Sequence, residues 1–228
     1  MRQSGLVDKI REELRGAILS GRLSPGSELR ESIVASQMQI SRAPVREALR
    51  LLEESGLVDK TPNRPYRVAE FAEADLVDLA NMRIALEELA VRLAIGCSPD
   101  LGPAREALER MRVAGEEHAV PDIIAADRAF HEALIWAARN RPLSAAYSRL
   151  RDQISLALLT NLKEGTRVLD NIYERHQDFL DRYLRTISTG DPSILLPLLE
   201  EHVAGGLGVP TPDRWPPIEE SADSRPPA

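Results

Sequence analysis

Asp127 and His131 stand four residues apart in a stretch of helical periodicity, so a carboxylate and an imidazole project from one helix face. His176 follows 45 residues later and His202 another 26, each inside a further segment of helical pattern. Three imidazoles and one carboxylate carried on three helices can converge on one divalent ion, leaving coordination positions open for water or a ligand. The same spacing also describes an exposed Asp-x-x-x-His pair and two unrelated histidines, so spacing alone leaves both readings standing. His118, beside Glu116 and Glu117, reads as exposed. Cys97 ends a helix without a metal or redox partner motif, and Trp136, five residues after His131, reads as core or pocket wall.

A second constellation is Ser41-Arg42-Ala43-Pro44-Val45-Arg46. Ser41 can cap a helix by accepting a hydrogen bond from a first-turn N–H, and Pro44 is tolerated where amides lack intrahelical partners. Arg42 and Arg46 share a face, and an arginine fork suits guanine O6/N7 or a phosphate. Two arginines on a helix are also an ordinary solvated surface. What precedes and follows them decides between the two.

Before them, Leu6, Ile10, Leu14 and Ala17/Ile18 recur at helical spacing over about 4–20, and Gly21 with Pro25-Gly26 ends that helix. A short helix over about 31–38 buries Val34, Ala35 and Met38. After them come the stripe Val45, Ala48, Leu49, Leu52, a stop at Gly56, and two strands, Val58–Thr61 and Tyr66–Ala69, around Pro62-Asn63-Arg64-Pro65. Helix, helix–turn–helix and hairpin in that order make a winged helix, whose second motif helix enters the major groove. From 73 onward the pattern is helical, in segments near 73–96, 100–117, 121–139, 142–162, 168–189 and 193–206, separated by Pro and Gly. Short connections between them describe an antiparallel bundle. The expected fold is therefore mainly α: a winged helix–turn–helix over 1–72 and an all-α bundle over 73–208. A tail follows over 209–228, read as disordered, with six prolines among its last 19 residues.

Charge follows the same division. Residues 1–72 hold 12 Lys/Arg and 10 Asp/Glu, whereas 73–228 hold 17 and 26, so an anionic partner is drawn to the first part and repelled by the second. One cysteine excludes a disulfide framework and a Cys-rich zinc module. The absence of a signal-like start or a long apolar run predicts a cytoplasmic chain with no membrane partner.

The stretch Leu14 to Glu31, with Ser20-Gly21-Arg22-Leu23 and Pro25-Gly26-Ser27-Glu28-Leu29-Arg30, resembles the opening signature of GntR-type bacterial transcription regulators. Ser41 to Glu53 resembles their recognition helix, and Gly56-Leu57-Val58 and Asn63-Arg64 extend the likeness over 6–70. It implies DNA contacts at Arg30, Ser41, Arg42, Ala43, Arg46 and Arg64. Two positions depart from the pattern: Gln39 where glycine is usual in the turn, at a cost of about 1 kcal/mol if its φ is positive, and Pro65 at the wing tip. Asp127-Arg128-Ala129-Phe130-His131-Glu132-Ala133-Leu134 resembles the central motif of the effector domain of the FadR-like branch, called FCD. Met82 to Ala90 resembles its first helix.

That likeness, over about 75–205, implies one divalent ion per subunit held by Asp127, His131, His176 and His202, with Zn, Ni, Mn and Fe undistinguished. It places Arg83 at an effector pocket, where its fork would take a carboxylate; the bland alternative is a surface pair with Glu87 at i+4. A homodimeric regulator, in the usual case a repressor, is implied: it binds an inverted-repeat operator in double-stranded DNA and answers to a small carboxylate-bearing effector. Two rivals stand beside it. One is the same regulator with a purely structural metal. The other is a metal-dependent hydrolase, for which Glu132 is the nearest spare base, turned about 100° away from His131 by helix geometry.

Overall fold

In the computed structural model, residues 2–163 and 171–211 are described. The chain begins with α1 (Arg2–Leu19), β1 (Glu28–Leu29), α2 (Glu31–Gln37), α3 (Arg42–Glu54), β2 (Val58–Lys60) and β3 (Tyr66–Val68). The strands form an antiparallel sheet in the order β1-β3-β2, with Glu28 opposite Arg67 and Val58 opposite Val68. The two-residue β1 is too short to leave an alternating pattern and was not expected.

The buried stripe of α1 is Val7, Ile10, Leu14 and Ile18; Leu6 is exposed, which shifts the expected face by one residue. The stripe packs with Val34 and Ala35 of α2, Val45, Leu49 and Leu52 of α3, and Val58 and Val68 of the wing. Met38 is only half-buried against it. Ser41 occupies the N-cap position of α3, but its side chain makes no capping hydrogen bond, contrary to expectation. Gln39 takes φ 54°, so the helix–helix turn does require a left-handed residue.

The bundle comprises α4 (Glu73–Ala94), α5 (Gly102–Glu116), α6 (Val120–Ala137), α7 (Arg141–Lys163), α8 (Ile172–Thr189) and α9 (Leu196–Leu207). The carboxylate of Asp75 reaches back to the Ala72 N–H at 2.8 Å and closes the first turn of α4. Pro103, Pro121 and Pro197 sit in the first turns of α5, α6 and α9, where a missing N–H costs nothing. The last expected helix is divided: a 3-10 turn, Pro192–Ile194, precedes α9. The expected start of α8 at 168, the break at 165–166 and the tail from 212 lie outside the described residues.

Ala80, Phe130, Ile135, Leu199 and Val203 centre the bundle core. Leu156 of α7, fully buried, belongs instead to the apolar cluster of the winged helix, and Phe71 touches both clusters. Gln153 Nε2 donates to the Ser55 carbonyl at 3.1 Å across the same junction. No helix among the described residues is long and apolar enough to cross a membrane.

Candidate metal centre and nucleic-acid surface

α6 carries Asp127 and His131 one turn apart, α8 brings His176 and α9 brings His202. All four are buried, and one ligand atom from each lies within 4.8 Å of the others. His131 Nε2 is 3.1 Å from His202 Nε2 and 3.7 Å from Asp127 Oδ1, and His176 Nε2 is 3.0 Å from the same oxygen. Such separations suit ligands of one ion bonded at about 2.0–2.2 Å.

The outer ring nitrogens have partners of their own. His176 Nδ1–H donates to the Ile172 carbonyl at 2.8 Å, and His131 Nδ1–H donates to Glu87 Oε2 at 3.0 Å. The Nε2 atoms of these two rings are thereby directed inward, His176 Nε2 to Asp127 Oδ1 and His131 Nε2 to His202 Nε2. Three imidazoles and one carboxylate converging in the interior, with outer nitrogens already held, make a donor set that fits a divalent metal. Burial, then the Arg83 charge, holds His131 below the usual histidine range; burial and the neighbouring imidazoles push His202 well below it. Both rings are therefore neutral near pH 7.

Glu87 entered the sequence analysis only as a surface partner of Arg83 and not as part of the cluster. Burial would raise its pKa, but His131 and Arg83 outweigh that and hold it at about 2. It accepts from Arg83 Nε at 2.8 Å and from the Tyr147 hydroxyl at 3.1 Å. Its signal was its place four residues after Arg83, together with the need of a ligating histidine for a second carboxylate. Arg83 does pair with Glu87 at i+4, but in the interior, at 2% exposure, not on the surface. Its Nη2 makes no hydrogen bond and stands 3.9 Å from Asp127 Oδ2.

Arg83, Asp127, His176 and His202 line a cavity of about 20 Å³ closed by Ile123, Ile124 and Leu158, with Ile172, Arg175 and Gly206 on its remaining side. Glu132 turns away to Arg151, as helix geometry requires. His118 is exposed, as expected, and so is Cys97. Trp136 is 55% exposed, so it is neither core nor pocket wall: about 140° of helix rotation separates it from His131.

In the winged helix, Arg30, Arg42, Arg46 and Arg64 line one groove of about 280 Å³, joined by Lys60 and Tyr66. Ser41 and Ala43 are exposed at the start of α3 but do not line it. Glu31, unmarked in the sequence reading, ties Arg42 Nη2 at 3.2 Å and Arg46 Nε and Nη2 at 3.0 Å each. Arg30 is held by Glu28 at 2.9 Å, and the wing contributes Lys60, stacked on Tyr66 at 4.8 Å.

A winged helix joined to an all-helical domain is the architecture of a class of DNA-binding transcription regulators. Residues 6–68 match the family described as bacterial regulatory proteins, gntR family, and residues 78–204 match the FCD domain. The chain belongs to the GntR family and carries an FCD domain. Members of the family bind operator DNA, and FCD domains bind small-molecule effectors; neither relatives nor family are enzymes.

It is 30% identical over 206 residues to the "Probable D-xylose utilization operon transcriptional repressor" of Paenarthrobacter nicotinovorans, covering 89% of this chain and 87% of that protein. It is 26% identical to the gluconate operon transcriptional repressor of Bacillus subtilis (strain 168), covering 85% and 80%. The E. coli McbR/YncC structure superposes with a TM-score of 0.72 at 25% identity, covering 89% and 95%. A GntR regulator structure from Rhodococcus sp. RHA1 shares the fold, with a TM-score of 0.77 at 23% identity over 89% and 97%.

Proposed function

We propose that this regulator is a homodimeric repressor whose hold on an inverted-repeat operator is set by a small organic acid bound at a divalent ion, one per subunit. Residues 1–72 would read DNA, 73–208 would sense the acid, and 209–228 would serve neither role. Asp127, His131, His176 and His202 would hold the ion, and Arg83 would take the acid's carboxylate. Arg30, Ser41, Arg42, Ala43, Arg46 and Arg64 would meet the operator in the cytoplasm.

One observation carries the reading: three imidazoles and a carboxylate converge in the interior beside a buried arginine Nη2 that has no hydrogen-bond partner. An anion supplied from outside satisfies that donor, and a cation satisfies the converging ligands. The gluconate relative is named for the operon of a sugar acid, which supports the effector class. Met82, Leu89 and Leu93, exposed on α4 at spacings of seven and four, supply an apolar stripe for the second subunit. An acid can shift DNA binding only by preferring one arrangement of the dimer over another.

The size of the cavity favours one rival: about 20 Å³ holds roughly a single water, which suits a purely structural ion. Thermal melting of metal-loaded and chelator-stripped protein against sugar acids, hydroxy acids and dicarboxylates separates the two. Stabilisation of the loaded form alone by one acid, with operator release at the same concentration, supports acid sensing. A loaded form that is stabilised by metal yet indifferent to every acid supports the structural ion. Arg46→Ala should abolish specific operator binding with metal content intact; equal operator affinity would remove Arg46 from the interface.

A further inference from the structure

The cavity beside the His/Asp cluster is sealed on most sides. Ile123, Ile124, Leu158, Arg83, Asp127, His176 and His202 are buried, whereas Ile172, Arg175 and Gly206 keep partial exposure. Those three mark the side nearest solvent. Arg175 closes the first turn of α8, one residue before His176, and a Cβ at Gly205 would stand 3.7 Å from its Nη2. Its guanidinium therefore lies along α9 within one turn of His202, over a Gly205–Gly206 pair that offers it no side chain. Among the described residues no carboxylate pairs with Arg175. Arg92, Arg112 and Arg182, elsewhere on the bundle surface, each have an acidic partner at three or four residues; Arg175 differs from the other surface arginines without one in lining the cavity beside the cluster.

We infer that the acid taken by this cavity carries two anionic groups, the first directed to the ion and Arg83 and the second to Arg175. This rests on the acid-sensing reading above. Asp127 and Glu87 match the charge of a divalent ion, and ligating imidazoles are neutral. Arg83 and Arg175 then remain as two positive charges on one cavity. A monocarboxylate answers one of them; a dianion answers both. About 20 Å³ cannot enclose a carbon skeleton beyond the group at the ion, so on the acid-sensing reading the rest of the acid extends toward Ile172 and Gly206, on the side that Arg175 lines. A dicarboxylate and a phosphorylated acid share this chemistry.

Calorimetric titration of the Zn-loaded full chain decides it. Succinate and glutarate would be compared with propionate and butyrate, and phosphoglycolate with glycolate, on wild type, Arg175→Ala, Arg175→Lys and Arg83→Ala. Dianions should bind about tenfold tighter than their monoanionic counterparts, and Arg175→Ala should erase that margin while changing monoanion affinity less than about threefold. Arg175→Lys should keep most of the margin, and bound zinc should stay unchanged in both. Whichever dianion binds tighter names the second group. Monoanions bound as tightly as dianions, or a margin indifferent to Arg175, would overturn this inference and leave acid sensing standing. No binding of any acid by any loaded protein, with Arg83→Ala indistinguishable from wild type, would remove both.

Discussion

Arg15 of α1 grips Asp152 of α7 through two hydrogen bonds of 2.6 Å, Nε to Oδ2 and Nη2 to Oδ1. The same carboxylate lies 3.9 Å from Arg128 and 3.7 Å from Arg151. Arg128 follows Asp127 on α6, and Arg151 holds Glu132, the neighbour of His131. The helix that supplies two members of the cluster thus touches the carboxylate that fastens the DNA-reading module. Any shift of α6 would reach α1 through Asp152.

Removing either partner of that fork should not cost the same. Asp152→Asn leaves three arginines without their shared counter-charge, whereas Arg15→Met leaves Asp152 still facing Arg128 and Arg151. Asp152→Asn should therefore destabilise more. A double-mutant cycle in urea should give a coupling of about 1–3 kcal/mol, the range for charged hydrogen bonds. A coupling within error of zero would show that the fork holds nothing together. Operator release by ligand should also weaken in both variants.

The helices and the winged helix were legible because Ile10, Leu14 and Ile18, or Val45, Leu49 and Leu52, repeat at a helical period on faces that do become buried. The four cluster residues were legible because each is a rare or well-spaced ligand type. Glu87, Glu31 and Asp152 were not. A carboxylate becomes special through what another helix brings to it, and periodicity says nothing of which helices meet. Trp136 misled for the converse reason: large apolar side chains usually pack inward, yet its helix angle faces it to solvent.

Gln39 offers a test of local strain. Its side chain is exposed and its φ is 54°, a region that costs a non-glycine residue about 1 kcal/mol. Gln39→Gly should raise stability by about 0.5–1 kcal/mol, since relief in the folded turn is partly offset by a freer unfolded chain. Chemical denaturation reads the change; a less stable variant would mean the amide side chain contributes something the turn geometry does not reveal.

Glu31 competes with DNA for two arginines. Arg46 and Arg42 hold its pKa below the usual glutamate range, and it lies in the same groove as Arg30 and Arg64. Exposed ion pairs are worth at most about 1 kcal/mol, so Glu31→Gln should leave the fold intact. It should strengthen binding to unrelated duplex DNA several-fold and steepen its salt dependence, because one opposing negative charge is gone from a phosphate-facing surface. Unchanged nonspecific affinity across a salt series would mean Glu31 swings clear when DNA arrives.

Glu87 and Tyr147 separate support of the cluster from simple packing. Glu87 binds Arg83, His131 and Tyr147 at once, all in the interior. Glu87→Gln keeps the shape but leaves Arg83 buried with only Asp127 for charge balance, 3.9 Å away, and takes the charged acceptor from the His131 ring. Metal affinity, read by competition with a chromophoric chelator, should fall about 10–100-fold, with a stability loss of several kcal/mol in the metal-free protein. Tyr147→Phe deletes one hydrogen bond to the same carboxylate and should cost about 0.5–1.5 kcal/mol, leaving metal affinity within a few-fold of wild type. If the two variants lost metal affinity equally, the tyrosine would be setting the position of Glu87. If neither lost any, His131 would need no carboxylate behind it, and the case for a metal-ligating ring would fall with that result.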